Sequence, residues 1–324
     1  MTMATSLLTP ELLRRLEQFQ LLAARRAKST SKGERRSRAR GQSVEFADHR
    51  NYTEGDDFRY LDWNLFGRLD RLFLKLYEEE RELPVRIFLD ASESMTFGTP
   101  RKFDFARQIA AAVGYVALCG FDRVSVIPFP ELLNAEPSSA EGGVRSAELP
   151  KNDRTTSQEQ AVRGALRSVR GRKSSMQFFQ NITQLTAGGS VNLDQALRRG
   201  ALEAQQAGVA VVLSDFLDPA GYEVGLKALV GRGFQVNVVQ ILAPEELNPG
   251  TYGDLRLVDA ESGLMQEVTF GKYRLKQYQQ TVQNYIQRLR EFCSSRGVSF
   301  FSVSSEASLE ELLLKQLRAS ELWG

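Results

Sequence analysis

A short, mainly apolar run, Val85-Arg86-Ile87-Phe88-Leu89, ends abruptly in Asp90-Ala91-Ser92-Glu93-Ser94, and no other stretch restricts the fold as strongly. The run is too brief for a helix, and the turn chemistry closing it marks a buried parallel strand. Open α/β sheets collect their ligands at the carboxyl ends of such strands. Asp-x-Ser-x-Ser places three small hard-oxygen side chains on one turn, with neither cysteine nor histidine close by in sequence. Hard donors select a hard cation. Mg²⁺ is the first expectation and Mn²⁺ or Ca²⁺ the next, because Mg²⁺ accepts few protein oxygens, keeps waters and leaves positions for a partner's group. Asp and Ser also cap helices, so the pentapeptide by itself leaves a metal site and a capped turn both open.

The pattern returns downstream. Val209-Ala-Val-Val-Leu213 runs into Ser214-Asp215, and Gly188-Gly189-Ser190-Val191-Asn192-Leu193 is a glycine-hinged loop opening a helix expected over 194–206. Buried strands are expected at 123–129, 234–242 and 298–303, helices at 102–118, 178–185 and 273–295, and a hairpin around Glu261-Ser262-Gly263. On the last helix Tyr278, Val282, Tyr285, Ile286, Leu289 and Phe292 recur at core-facing spacing, which reads as core and not as a binding stripe. Alternating strands and helices predict a doubly wound, mainly parallel α/β sheet as one domain over 83–324. Two of its strand ends, Asp90 and Asp215, can then face one crevice beside the Gly188-Gly189-Ser190 loop, so that three remote segments converge on hard-oxygen chemistry.

Two segments precede that domain. Residues 1–32 hold a helix starting at Thr9-Pro10, with Leu12, Leu13, Leu16, Phe19 and Leu22 as its apolar stripe. A basic arm over 25–40 follows; without aromatics to stack on bases it reads as a solvated linker. In 33–82 aromatics lie among charges, with a turn at Gly55-Asp56-Asp57 followed by Arg59, Asp62 and Trp63. This reads as a small, irregular or β-rich appendage held by buried Arg–carboxylate pairs. Its carboxylates Glu54, Asp56, Asp57 and Asp62 could also serve as a metal or acid–base cluster, though no nucleophile accompanies them. A strand is expected at 73–77, leading into a solvated acidic run.

A net charge of +2 gives no global field calling for nucleic acid or an anionic membrane. The single His49 argues against a histidine metal centre or a Ser/His triad. Cys119 and Cys293, both in apolar helical settings, read as buried free thiols of a reducing compartment. No segment has the pattern of a signal peptide or the length of a membrane span, so the cytoplasm is expected.

Asp90-Ala91-Ser92-Glu93-Ser94 and Ser214-Asp215 resemble the metal-ion-dependent adhesion site (MIDAS) of von Willebrand factor A-like domains. The second loop departs from it, with Ser190 where the family has Thr and one extra residue, so that Ser190 and Asn192 both remain candidates for that ligand. The segments 44–50, 52–63 and 75–80 resemble the signature of a bacterial domain-of-unknown-function family, number fifty-eight, whose members join it to such a domain. That resemblance implies a MoxR-type AAA+ ATPase as partner and a role in assembly or maturation of protein complexes.

The expectation is a non-enzymatic, metal-dependent protein-interaction module, its divalent cation bound by Ser92 and Ser94 with Asp90, Ser190 and Asp215 as ligands directly or through water. Its cation leaves a coordination position open to an Asp or Glu of the ATPase or its client. A Mg²⁺-dependent hydrolase or phosphoryl-transfer enzyme using Asp90 is the alternative, and it lacks a phosphate-cradling loop or cationic clamp near these motifs. Nucleic acid is not expected as a partner.

Overall fold

The computed structural model describes residues 7–19, 44–79, 83–130, 168–190, 192–249, 253–258, 265–270 and 272–313. The chain divides into two compact units, Arg26–Glu82 and the combination of Met1–Arg25 with Leu83–Gly324. Helix α1 (Pro10–Leu16) belongs to the larger unit, and the smaller contains β1 (Val44–Asn51), α2 (Trp63–Leu69) and β2 (Phe73–Glu79). The larger unit continues with β3 (Pro84–Asp90), α3 (Lys102–Cys119), β4 (Arg123–Phe129), β5 (Val169–Arg170), α4 (Ser175–Gln184), α5 (Leu193–Leu202) and β6 (Val209–Ser214). After these come α6 (Glu223–Gly231), β7 (Gln235–Leu242), α7 (Pro244–Leu247), the hairpin β8 (Gly253–Val258) and β9 (Met265–Phe270), α8 (Lys272–Ser294) and β10 (Ser299–Ser304).

Six strands form one sheet in the order β10-β7-β6-β3-β4-β5, parallel throughout except for the two-residue edge strand β5. β3 is a central strand. Val85, Ile87 and Leu89 pack on one face with α1, α3 and α4, while Phe88 packs on the other with residues of α5, α6 and α8. Burial on both faces explains why these strands are written as nearly unbroken apolar runs rather than alternating ones. Approach on the Phe88 face is close: a Cβ on Gly200 of α5 would lie 2.2 Å from the Phe88 ring. From β3 the chain crosses through α3 to β4 on one side, whereas β6 continues through α6 to β7 on the other. The winding therefore reverses between neighbouring β3 and β6, and a crevice opens at their carboxyl ends.

Several expectations need correcting. The N-terminal helix is not a separate appendage, because Leu7, Leu8, Leu12 and Leu16 are buried in the core of the larger unit. Helix α5 stops at Leu202, short of 206, and α6 was not foreseen. Cys293 is buried but Cys119 only partly so. The basic arm 25–40 lies outside the described residues. In the smaller unit β1 and β2 pair antiparallel with a bulge between Phe46 and Asp48, and the chain between them forms α2. Its Arg–carboxylate pairs are at the surface, not buried: Arg50–Asp56 and Arg59–Asp57 join exposed arginines to their partners. Among the described residues no helix is long and apolar enough to cross a membrane.

Candidate functional site

Register fixes the two strand ends side by side, with Leu89 opposite Leu213, so that Asp90 and Ser214-Asp215 leave the sheet together. Asp90 Oδ1 accepts from Ser92 N at 3.0 Å and Ser92 Oγ at 2.7 Å, and its Oδ2 accepts from Ser214 Oγ at 2.5 Å. Ser92 Oγ lies 3.0 Å from Ser94 Oγ, which donates to Asp215 Oδ2 at 2.9 Å. Through the peptide joining Ser214 to Asp215 the chain of contacts closes into a ring. The turn after β6 is held in a constrained shape: Phe216 is buried at φ 60°, its N–H bonds Ser214 Oγ, and Leu217 N–H bonds Asp215 Oδ1. A bulky residue held in the left-handed region costs about 1–2 kcal/mol, a cost that tends to be found at functional sites.

The second loop is fastened alongside the first. Gly188 N–H donates to Ala91 O at 2.7 Å, and Glu93 N–H donates to Gly189 O at 2.8 Å. Gly189 sits at φ 80°, a conformation that suits glycine. Ser190 ends this loop, exposed, and forms no hydrogen bond to the ring. Asn192 caps α5, its Oδ1 accepting from Gln195 N–H at 2.8 Å, which commits the side chain to the helix. Four of the five expected ligands thus meet directly, and the fifth is brought to the adjoining loop.

A residue that the sequence reading passed over completes the cluster. Lys102, the first residue of α3, is wholly buried; its Nζ donates to Asp215 Oδ2 at 2.7 Å and to Glu246 Oε1 at 2.6 Å. Burial opposes its charge, but the Asp215 and Glu246 carboxylates outweigh that and hold its pKa above the ordinary value. Burial raises Glu246 in turn, against the pull of Lys102. Burial and the neighbouring Asp215 carboxylate push Asp90 up to about 7, although its Ser214 and Ser92 hydrogen bonds act the other way. Two half-buried tyrosines of α8, of which Tyr285 packs against the core as expected, also brace these loops: Tyr278 OH donates to Glu246 O at 2.9 Å and Tyr285 OH donates to Phe216 O.

Counting hydrogens exposes a conflict. A serine hydroxyl has one hydrogen. If Ser92 spends its hydrogen on Asp90 and Ser94 spends its own on Asp215, no hydrogen remains between the two hydroxyl oxygens 3.0 Å apart. The charges are also unequal: the cluster holds three carboxylates, Asp90, Asp215 and Glu246, and one ammonium, which meets only Asp215 and Glu246. Among the described residues no three of His, Cys, Asp and Glu gather as a metal site; the donor set is carboxylates combined with hydroxyls. Such an all-oxygen set, short of positive charge, fits a hard divalent cation.

The family described as "Protein of unknown function DUF58" matches residues 48–287, well over half of the chain. The chain belongs to DUF58. A protein of Mycobacterium tuberculosis (strain ATCC 25618 / H37Rv), described as uncharacterized, is 26% identical to this DUF58 chain over 260 residues, 80% of this chain and 74% of its own. A counterpart from Mycobacterium bovis matches to the same extent. Among solved structures, a conserved hypothetical protein BatB from Bacteroides thetaiotaomicron is similar at a TM-score of 0.40 and 12% identity, over 74% of this chain and 98% of its own. An aerotolerance-related membrane protein from Bacteroides fragilis NCTC 9343 is similar at 0.34 and 15%, with the same coverage.

The signature residues of the smaller DUF58 unit serve its local structure. Gly55 turns the chain at φ 102°, and Asp56 takes Arg50 at 2.6 and 2.9 Å together with Thr53 N–H at 2.9 Å. The Arg50 guanidinium, first, and the Thr53 bonds hold the Asp56 carboxyl well below its usual range. Asp57 caps the turn at Arg59, and Asp62 caps α2 through Asn64 and Leu65 N–H while meeting His49 Nε2 at 3.0 Å. Each of these carboxylates is engaged in a cap or ion pair, which accounts for them without a catalytic cluster. Trp63, at the start of α2, is 64% exposed and meets Phe66 edge-on.

Proposed function

We propose that this DUF58 chain is a non-enzymatic protein-interaction module whose larger unit holds a divalent cation, Mg²⁺ first, in the manner of a von Willebrand factor A-like domain. Ser92 and Ser94 would bind the cation, with Asp90, Ser190 and Asp215 as direct or water-mediated ligands. Bound there, it supplies a Lewis-acidic position that an Asp or Glu of a partner completes.

The observation that carries this reading is the double deficit of the ring, one hydrogen short between Ser92 and Ser94 and two positive charges short overall. A proton on Asp90 repairs the first and only half of the second; a divalent cation meets both. Binding is favoured over hydrolysis because Asp90 is 1% exposed, its oxygens turned into the ring toward Ser92 and Ser214 and closed to an incoming substrate.

The partner class, a MoxR-type AAA+ ATPase or its client, and the role in assembly or maturation of complexes come from the family resemblance. The test is a pull-down with the full chain, wild type and Asp90→Ala, with Mg²⁺ or with EDTA. Capture of the ATPase that depends on both Mg²⁺ and Asp90 supports the proposal. Equal capture in EDTA refutes it.

A further inference from the structure

Lys102 is an unexpected residue where it stands. A cation at the first position of a helix opposes the helix dipole, and a fully buried ammonium loses its hydration. Both costs are offset by Asp215 and Glu246, each within 2.7 Å of Nζ. Asp215 Oδ2 is also the oxygen to which Ser94 donates, so the ammonium occupies the coordinating side of a proposed metal ligand. Glu246 on the far side of the ammonium is fixed in place. Its Oε2 accepts Ala243 N–H at 2.7 Å and its carbonyl accepts Tyr278 OH at 2.9 Å.

We infer that Lys102 is a resident counter-cation competing with the divalent ion for Asp215, and that Glu246 draws it back, so that the pair sets how tightly the site takes metal. This rests on the metal reading above. Removing the ammonium takes a positive charge from beside the incoming cation. Removing the Glu246 charge leaves the ammonium to Asp215 alone. A unit charge at such range changes the affinity of a neighbouring charged group by about tenfold or more.

The experiment is Mn²⁺ titration of the full chain by calorimetry, with thermal melts in EDTA to follow folding. Lys102→Met is expected to bind Mn²⁺ about tenfold more tightly than wild type, and Glu246→Gln about tenfold more weakly, by the same charge argument. The double variant Lys102→Met/Glu246→Gln leaves Glu246 no charge to strand, and it too is expected to bind more tightly than wild type. It carries the test if the single variant does not fold. Asp90→Ala is expected to bind no Mn²⁺ with or without Lys102. Wild type that binds no Mn²⁺, or Asp90→Ala that binds like wild type, overturns the metal reading and this inference together. Binding that needs Asp90 but is unchanged or weaker without Lys102 overturns the inference alone.

Discussion

Replacing Asp90 by Asn probes the buried carboxylate, because the side chain keeps its shape and loses its charge together with one acceptor oxygen. Burial and Asp215 raise the Asp90 pKa from an ordinary 3.8 to about 7. Below about pH 4 both folded and unfolded chains hold this proton. As pH rises the unfolded chain releases it first, while the folded chain keeps it until about 7, so the folded state binds more protons across that window and stability falls. Relative to a side chain that never ionises, Asp90 costs about 2 kcal/mol at pH 5 and about 4 kcal/mol at pH 8. Asn brings a penalty of its own, since its amide group cannot accept from Ser92 or Ser214 as the lost oxygen did. That penalty, about 1 kcal/mol, does not vary with pH. The stability of Asp90→Asn minus that of wild type, from urea midpoints in EDTA, is therefore expected to increase by about 2–3 kcal/mol from pH 5 to pH 8. Mg²⁺ should reverse the ranking at pH 8 by stabilising wild type alone. Parallel pH profiles for the two proteins would refute the reasoning, since they would mean that no strained carboxylate titrates at this site.

Other outcomes test the frame around the site. Gly208→Ala is expected to destabilise by about 3 kcal/mol in a urea titration, because its Cβ would lie 2.0 Å from the Pro84 carbonyl oxygen and backbone cannot give way as a side chain does. Asn237→Val should raise the melting temperature, worth about 1–2 kcal/mol, since Asn237 is fully buried in β7 and neither of its amide atoms finds a hydrogen-bond partner among the described residues. Asp62→Ala removes the cap that holds Asn64 and Leu65 N–H. Amide exchange across α2 should then accelerate by the equivalent of about 1 kcal/mol.

How much of this was legible beforehand follows from where each signal resides in the chain. β3 and β6 could be read because strands buried on both faces need continuous apolar runs, and their ends could be read because Asp and Ser there interrupt the runs sharply. Lys102 could not be read. Its partners stand 113 and 144 residues away, and a lysine after Pro100-Arg101 looks like ordinary surface. A faint signal existed in its position, for a helix's first turn prefers acids to bases. The hydroxyl contacts of Tyr278 and Tyr285 escaped for a related reason: periodicity gives the face a residue occupies, as it did for Tyr285 against the core, not what its hydroxyl meets. In the smaller unit α2 escaped because Trp63, Phe66 and Leu69 show little more than one helical repeat, too short a window for periodicity.

The buried ammonium and the proposed cation are not interchangeable, which bears on what the ring requires. Lys102 reaches Asp215 Oδ2 and Glu246 and so relieves charge at one end of the cluster, while the missing hydrogen lies between Ser92 and Ser94, a contact it does not make. That contact is satisfied by a proton at the Asp90 end of the chain, where burial and Asp215 raise the carboxyl, or from outside by a cation that both hydroxyl oxygens can face. A proton held at about 7 is easily given up near neutral pH. On the proposed metal reading, a divalent ion exchanged for that proton would meet the Ser92–Ser94 contact that Lys102 does not reach and would compete with the ammonium only at Asp215. In the proposed function such a site would pass from proton-closed to cation-bearing by a local exchange at the ring, leaving the cation open to a partner's carboxylate.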